Sequence, residues 1–180
     1  MLIRTATELD WPSSWPFWRE IVAAGDTYTY EPITDSEQAR ELWFGSGSYQ
    51  TWVCTIDDSD ESESDEPGSP APTDDAGRIV GTYHLGPNHG GAGSHIANGS
   101  YMVAPGIRGH GIGRAMVEHS IRRATESGYL GIQFNAVAAS NTYAIRLYVD
   151  LGFNIIGRVP GGFRHPQQWL IDLLIMHRAL

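Results

Sequence analysis

The sequence contains no lysine: all 12 of its basic residues are arginine, set against 21 acidic ones. That absence removes whole chemistries. A phosphate-cradling loop needs a lysine before its Ser or Thr, a protein kinase needs a lysine–glutamate pair, and a Schiff base to pyridoxal phosphate or a carbonyl substrate needs a lysine amine. Cysteine is nearly absent as well. The single Cys54 cannot form an internal disulfide, and no paired spacing suggests a metal site, so no metal is expected. No apolar run approaches the roughly 18 residues that span a bilayer. Met1-Leu2-Ile3-Arg4-Thr5 also lacks the basic start and apolar stretch of a signal peptide. The expectation is a soluble, cytoplasmic protein with no membrane partner.

What charge there is has an uneven distribution. Nine carboxylates fall in residues 57 to 75, which hold no arginine, so the rest of the chain carries 12 acids against 12 arginines and is neutral. Within that rest, residues 106 to 180 carry eight arginines against four acids, while residues 1 to 56 carry three against eight. The last part of the chain therefore suits an anionic ligand. Nucleic acid is not expected, since its phosphates are bound by clustered cations and the whole chain has a net charge of -9. A length of 180 residues with 41% apolar and 18% charged side chains fits one globular domain, residues 1 to 180.

Periodicity predicts mixed α/β organisation. Leu2 and Ile3 suit a first strand, and after a break at Trp11-Pro12 the spacing of Trp15, Trp18, Ile21 and Val22 predicts a helix to about residue 24. Tyr28 to Pro32 reads as an extended aromatic linker. Asp35 or Ser36 can cap a second helix that buries Ala39, Leu42 and Trp43. Strands are predicted at 49–56, 78–85, 95–103, 131–138, 154–159 and 169–177, with helices at 112–127 and 142–151, the latter closed by Gly152. His119 and Ile121 join Met116, Val117 and Ala124 as inner positions of the third helix. Residues 57 to 77 are polar and proline-bearing and cannot bury enough surface to offset their ordering entropy. They are expected to be a solvated, flexible insertion in a strand–strand loop, with docking of a basic partner or loose cation binding as the alternatives.

The densest chemical signal is Tyr101-Met102-Val103-Ala104-Pro105-Gly106-Ile107-Arg108-Gly109-His110-Gly111-Ile112-Gly113-Arg114. A strand runs into a turn, and glycines at alternate positions open a helix whose first N–H groups are unpaired and lie at the positive dipole end. That is a pyrophosphate cradle, with Arg108 and Arg114 adding charge. The dinucleotide spacing Gly-x-Gly-x-x-Gly is not met, and no acid lies about 20 residues on to hold a ribose.

These residues resemble the GCN5-related N-acetyltransferase (GNAT) family, whose acetyl-coenzyme A motif Arg/Gln-x-x-Gly-x-Gly/Ala is matched by Arg108, Gly111 and Gly113. A second family element is matched by Asn141, Ala144, Leu147, Tyr148, Gly152 and Phe153 in the right order and at the right separation. The resemblance implies the GNAT fold: a mixed, mostly antiparallel sheet of about six to seven strands with flanking helices, splayed at the coenzyme A site. It implies acetyl-CoA as donor, bound by Met102, Val103, Arg108, Gly109, His110, Gly111, Ile112, Gly113, Arg114, Asn141, Ala144 and Tyr148. It also implies a bulge at Met102-Val103-Ala104 that frees N–H groups for the thioester carbonyl, and Tyr148 as proton donor to the departing thiolate. A homodimer is a family-level expectation.

Acetyl transfer to an amine also needs a way to remove a proton. Many members of the family place a glutamate on the strand before the cradle, but His95 to Tyr101 contains no carboxylate. His95 or His84 could serve, or each could simply be hydrogen-bonded; otherwise a water chain would act. Asn98, Asn135 and Asn141 stand out instead, because asparagine is unfavourable inside strands. With Tyr30, Tyr101, and Phe163 and Arg164 of an expected loop, they look similar to the branch of the family that acetylates proline analogues. Backbone capping is the plainer alternative for Asn98 and Asn135, and helix capping for Asn141. The expected activity is direct acetyl transfer to a small-molecule amine, favoured as an amino acid or proline analogue. Acetylation of a peptide N-terminus and a coenzyme A-binding module without turnover are the alternatives.

Overall fold

The structure is a computed structural model and describes residues 1–45, 47–57, 77–107 and 110–180. Arg108 and Gly109 of the glycine turn, and nearly all of the expected acidic insertion, lie outside the described residues.

Among the described residues seven strands form one sheet in the order β1-β2-β3-β4-β5-β7-β6. They are β1 (Leu2–Thr5), β2 (Gln50–Ile56), β3 (Arg78–Pro87), β4 (Ile96–Val103), β5 (Gly131–Ala138), β6 (Asn154–His165) and β7 (Trp169–Ala179). Every neighbouring pair is antiparallel except β4 and β5. Among the described residues four α-helices cover the sheet: α1 (Trp11–Ala24), α2 (Ser36–Trp43), α3 (Ile112–Glu126) and α4 (Thr142–Asp150).

The alternation of β4 makes the layers. Ala97, Tyr101 and Val103 pack with Met116, Val117 and Ala124 of α3, while Met102 points the other way into a cluster with Trp18, Val22, Ala39 and Trp43 of α1 and α2. Helix α3 therefore lies on one face, and α1 with α2 on the other. Aromatic stacking fills the α3 side, with Trp52 and Tyr83 at 4.8 Å and Phe134 and Phe153 at 4.5 Å between ring centroids.

The local departures from expectation have physical causes. Trp11-Pro12 starts α1, because a proline in the first turn gives up an N–H that has no helical partner anyway. Asp35 is the cap of α2, its Oδ1 accepting from the N–H groups of Glu37 and Gln38 at 3.0 and 2.9 Å. Leu42 is exposed and only Ala39 and Trp43 are buried from that helix. On α3, His119 and Ile121 are half-buried. Strand β6 runs six residues beyond the expected 159, through the expected loop: a register shift between Val159 and Phe163 absorbs Pro160, Gly161 and Gly162.

Candidate active site

The site begins where the sheet splits. Parallel pairing of β4 with β5 covers only Ile96 with Gly131 and Ala97 with Ile132. At the next residue the side chain of Asn98 takes over: its Nδ2 donates to the carbonyl of Gln133 at 2.8 Å. Beyond that bond the strands diverge.

Each side of the split has its own cause. On β5, the register with β7 shifts between Phe134 and Val137, so Asn135 and Ala136 form a bulge and bend the strand away. This explains an asparagine inside a strand. On β4, the register with β3 is continuous from Gly81–Val103 to Pro87–Ala97, so the bulge expected at Met102-Val103-Ala104 is absent. Regular pairing is what opens β4. The N–H of Ala104 bonds to Val80 at 2.8 Å, so even-numbered residues face β3, and antiparallel alternation turns the backbone groups of Gly99, Tyr101 and Val103 toward the split. The carbonyl of Tyr101 accepts from the Tyr28 hydroxyl at 2.6 Å, in agreement with that alternation. The N–H of Val103 therefore faces the opening and that of Met102 does not.

A cavity of about 520 Å³ occupies the split. Its walls include Asn98, Met102, Val103, Asn135, Asn141, Ala144 and Tyr148, with Tyr28 and Tyr30 from the linker after α1 and Glu20 and Asp26 near the end of that helix. Tyr28 and Tyr30 stack at 5.7 Å and 7°. The Tyr148 ring packs 4.6 Å from Phe134, and burial raises its phenol well above the ordinary tyrosine value. It is a neutral O–H donor throughout the physiological range. Asn135 and Asn98 are partly engaged: Asn135 Nδ2 donates to Asn88 Oδ1 at 2.6 Å and its Oδ1 accepts from Gln133 at 2.8 Å. Asn141 caps α4 through Oδ1, which accepts from Ala144 N–H at 3.1 Å. Capping and cavity lining coincide at Asn98 and Asn141.

The glycine turn closes the end of the split. Gly111, with a φ of 67° that suits glycine, precedes α3, and the first helical bond runs from Ala115 N–H to the Gly111 carbonyl at 2.9 Å. The N–H groups of Ile112, Gly113 and Arg114 thus have no helical partner. A Cβ at Gly113 would lie 3.6 Å from Leu147 and 4.0 Å from Val103, so this first turn sits between α4 and the end of β4. His110 is exposed beside it. The Arg114 guanidinium is drawn to Asp150 at 3.2 Å and Glu118 at 3.7 Å.

Not every predicted residue reaches the cavity. Phe163 is buried on β6, and Arg164 lies over the Trp169 ring at 5.4 Å. Neither lines it. Tyr101 lines it, but its hydroxyl is bonded to Ser120 of α3 at 2.7 Å. Neither histidine proposed as a base lines it: exposed His95 Nδ1 meets the Ala92 carbonyl at 3.1 Å, and His84 stacks on Trp43 at 4.3 Å. Burial lowers His84 to about 4 despite a bond to the Trp43 backbone, so it is neutral at physiological pH. Sequence reasoning missed Glu20, Asp26 and Tyr28. The only signal was the aromatic linker after α1, and nothing in the sequence says which end of α1 meets the split.

A second cleft of about 430 Å³ adjoins the first, lined by His165, Pro166, Gln167 and Gln168 of the β6–β7 turn and sharing Ala24, Asp26, Thr27 and Asn141 with it. Buried His165 has a defined tautomer: Nδ1 accepts from the N–H groups of Gln167 and Gln168 at 3.1 and 3.2 Å, which leaves the proton on Nε2.

Among the described residues no helix is long and apolar enough to cross a membrane, and no cluster of three or more His, Cys, Asp or Glu could hold a metal. The family model of the acetyltransferase (GNAT) family matches residues 15–153. The structure of a GCN5-related N-acetyltransferase from Kribbella flavida is similar at a TM-score of 0.85, with 40% identity over 99% of this chain and 97% of that one. A ribosomal-protein-alanine N-acetyltransferase structure from Brucella melitensis is similar at 0.77, with 27% identity over all of both chains. The N-acetyltransferase aca1 of Schizosaccharomyces pombe is 29% identical over 136 residues, which are 76% of this chain and 63% of that relative's length. The splayed β4–β5 pair, the glycine turn into α3 and the matched family model together place this chain in the GNAT family of acetyltransferases.

Proposed function

We propose that this chain is an acetyl-CoA-dependent N-acetyltransferase that passes acetyl directly to the amine of a small molecule. The observation that carries the reading is the opening between β4 and β5, with backbone groups of β4 turned toward it on one side and Tyr148 on the other. A pantetheine arm laid in the split would meet the backbone of Gly99, Tyr101 and Val103 as a strand meets an edge. The pyrophosphate then falls at the N–H groups of Ile112, Gly113 and Arg114.

The chemistry follows from what these groups can donate and accept. The N–H of Val103 faces the opening and can bind the thioester carbonyl, which favours attack because charge grows on that oxygen. As the nitrogen–carbon bond forms, the carbon–sulfur bond breaks and the thiolate takes a hydrogen bond from Tyr148. A phenol is a weaker acid than a thiol, so Tyr148 stabilises the thiolate by hydrogen bonding and a full proton arrives from solvent. The proton lost by the amine goes to water in the cavity, since neither His84 nor His95 lines it.

The adjoining second cleft favours one other reading, an extended acceptor such as a peptide N-terminus, and the Brucella melitensis protein carries such a name. A thiol-release screen of amines and short peptides with acetyl-CoA separates the two. Faster release with small amines supports the proposal, faster release with peptides supports the second reading, and acetyl-CoA bound without amine-dependent release leaves only a binding module.

A further inference from the structure

The charge of the acceptor cavity does not suit an amino acid. Among the described residues its wall carries two carboxylates, Glu20 and Asp26, and no arginine, lysine or histidine. Neither carboxylate is in an ion pair among the described residues. An acceptor's own carboxylate would meet like charge there. The asparagine amides carry no charge to offset it: Asn98 and Asn135 each spend one N–H within the protein, and Asn141 offers only neutral donors.

A second observation has the same sign. Helix α1 runs 14 residues and ends at Ala24, which lines the cavity, with Gly25 as its left-handed cap and no basic residue in its last turn. The carbonyl end of a helix carries partial negative charge and favours a cation. The site is thus polarised by two helices: α3 presents its N-terminus where an anionic coenzyme sits, and α1 presents its C-terminus where the acceptor enters. Tyr28 and Tyr30, both kept neutral by burial, bring no charge that would offset the carboxylates. Asp26 belongs to the walls of both the cavity and the adjoining cleft, so there is room beyond it for the far end of an acceptor.

Resting on the acetyltransferase reading above, we propose that the acceptor is an aliphatic diamine: one nitrogen reaches the split beside Tyr148 and the other, still an ammonium, is held by Glu20, Asp26 and the carbonyl end of α1. Glu20 is exposed and Asp26 half-buried, so the preference is a matter of about tenfold and weakens with salt.

The test is a comparison of kcat/KM for an alkyl diamine, an alkyl monoamine and an ω-amino acid of equal chain length, at low and high ionic strength. The expected order is diamine above monoamine above ω-amino acid, with the diamine-to-monoamine ratio near tenfold at low salt and shrinking at high salt. In Glu20→Gln/Asp26→Asn the ratio falls toward one. In Glu20→Arg the order of diamine and ω-amino acid reverses, a gain that no simple loss of folding mimics. An ω-amino acid preferred by the unaltered protein, or ratios that none of these variants move, would overturn the diamine inference while leaving acetyl transfer intact. Failure to acetylate any amine would overturn both.

Discussion

Asn98 Nδ2 and the carbonyl of Gln133 are 2.8 Å apart, and that bond stands at the point where β4 and β5 cease to pair. It replaces the strand-to-strand bond that the divergence removes. The opening that follows is held by a side chain of one strand gripping the backbone of the other.

Replacing Asn98 by Ala is expected to leave the Gln133 carbonyl short of a partner. The cost is about 1 kcal/mol of stability, together with a larger fall in kcat/KM than the stability loss explains. Asn98→Asp is expected to be worse, since a carboxylate would face a carbonyl oxygen. Denaturant unfolding with kinetics on the same samples checks this, and two variants with full activity would remove Asn98 from the site.

Tyr148 is buried against Phe134 and protonated at neutral pH. Tyr148→Phe keeps the packing and removes the donor, so kcat is expected to fall by about 10²-fold with little change in acetyl-CoA affinity. Steady-state kinetics with a binding measurement separates the two quantities. Unchanged turnover would take the phenol out of the reaction.

How much of this was legible in the sequence depends on whether a feature is local. The glycine turn was legible because its spacing puts N–H groups at a helix start, and the Asn141 to Phe153 element was legible only through the family resemblance. The strand run of β6 was not, because Pro160-Gly161-Gly162 reads as a loop and only pairing with β7 keeps it extended. Phe163 and Arg164 were assigned to the site for that reason. Glu20 and Asp26 were invisible for a related one: their place depends on which end of α1 meets the split, a tertiary fact. A bulge was expected on β4, where pairing with β3 is regular, and the bulge lies instead at Asn135 and Ala136 of β5.

Gly111 has a φ of 67°, and among the described residues no atom beyond its chain neighbours lies within 4 Å of where its Cβ would be. Gly111→Ala is therefore strained by backbone conformation alone, at a cost of about 1 kcal/mol. Because this residue aims the first N–H groups of α3, the KM for acetyl-CoA is expected to rise more than the KM for the amine. Equal changes in both would mean that the turn does not hold the coenzyme.

His84 is buried on Trp43 with its Nδ1 unpartnered, and its value of about 4 lies below the ordinary 6.5. Between those two values the unfolded chain binds a proton that the folded chain does not, so stability falls as pH drops from about 6.5 to about 4. The loss is of order 3 kcal/mol. Melting curves across that range should steepen downward, and His84→Gln should flatten them. The same slope in the variant would show that another group carries the dependence.

The most direct test of the central claim is coenzyme A thiol release by the purified protein, with acetyl-CoA and a panel of amines measured against the same mixture without amine. The expected result is release that depends on amine, with one N-acetylated amine formed per thiol, and that is strongly reduced in Tyr148→Phe. Tight acetyl-CoA binding with no amine-dependent release from any member of the panel would contradict it.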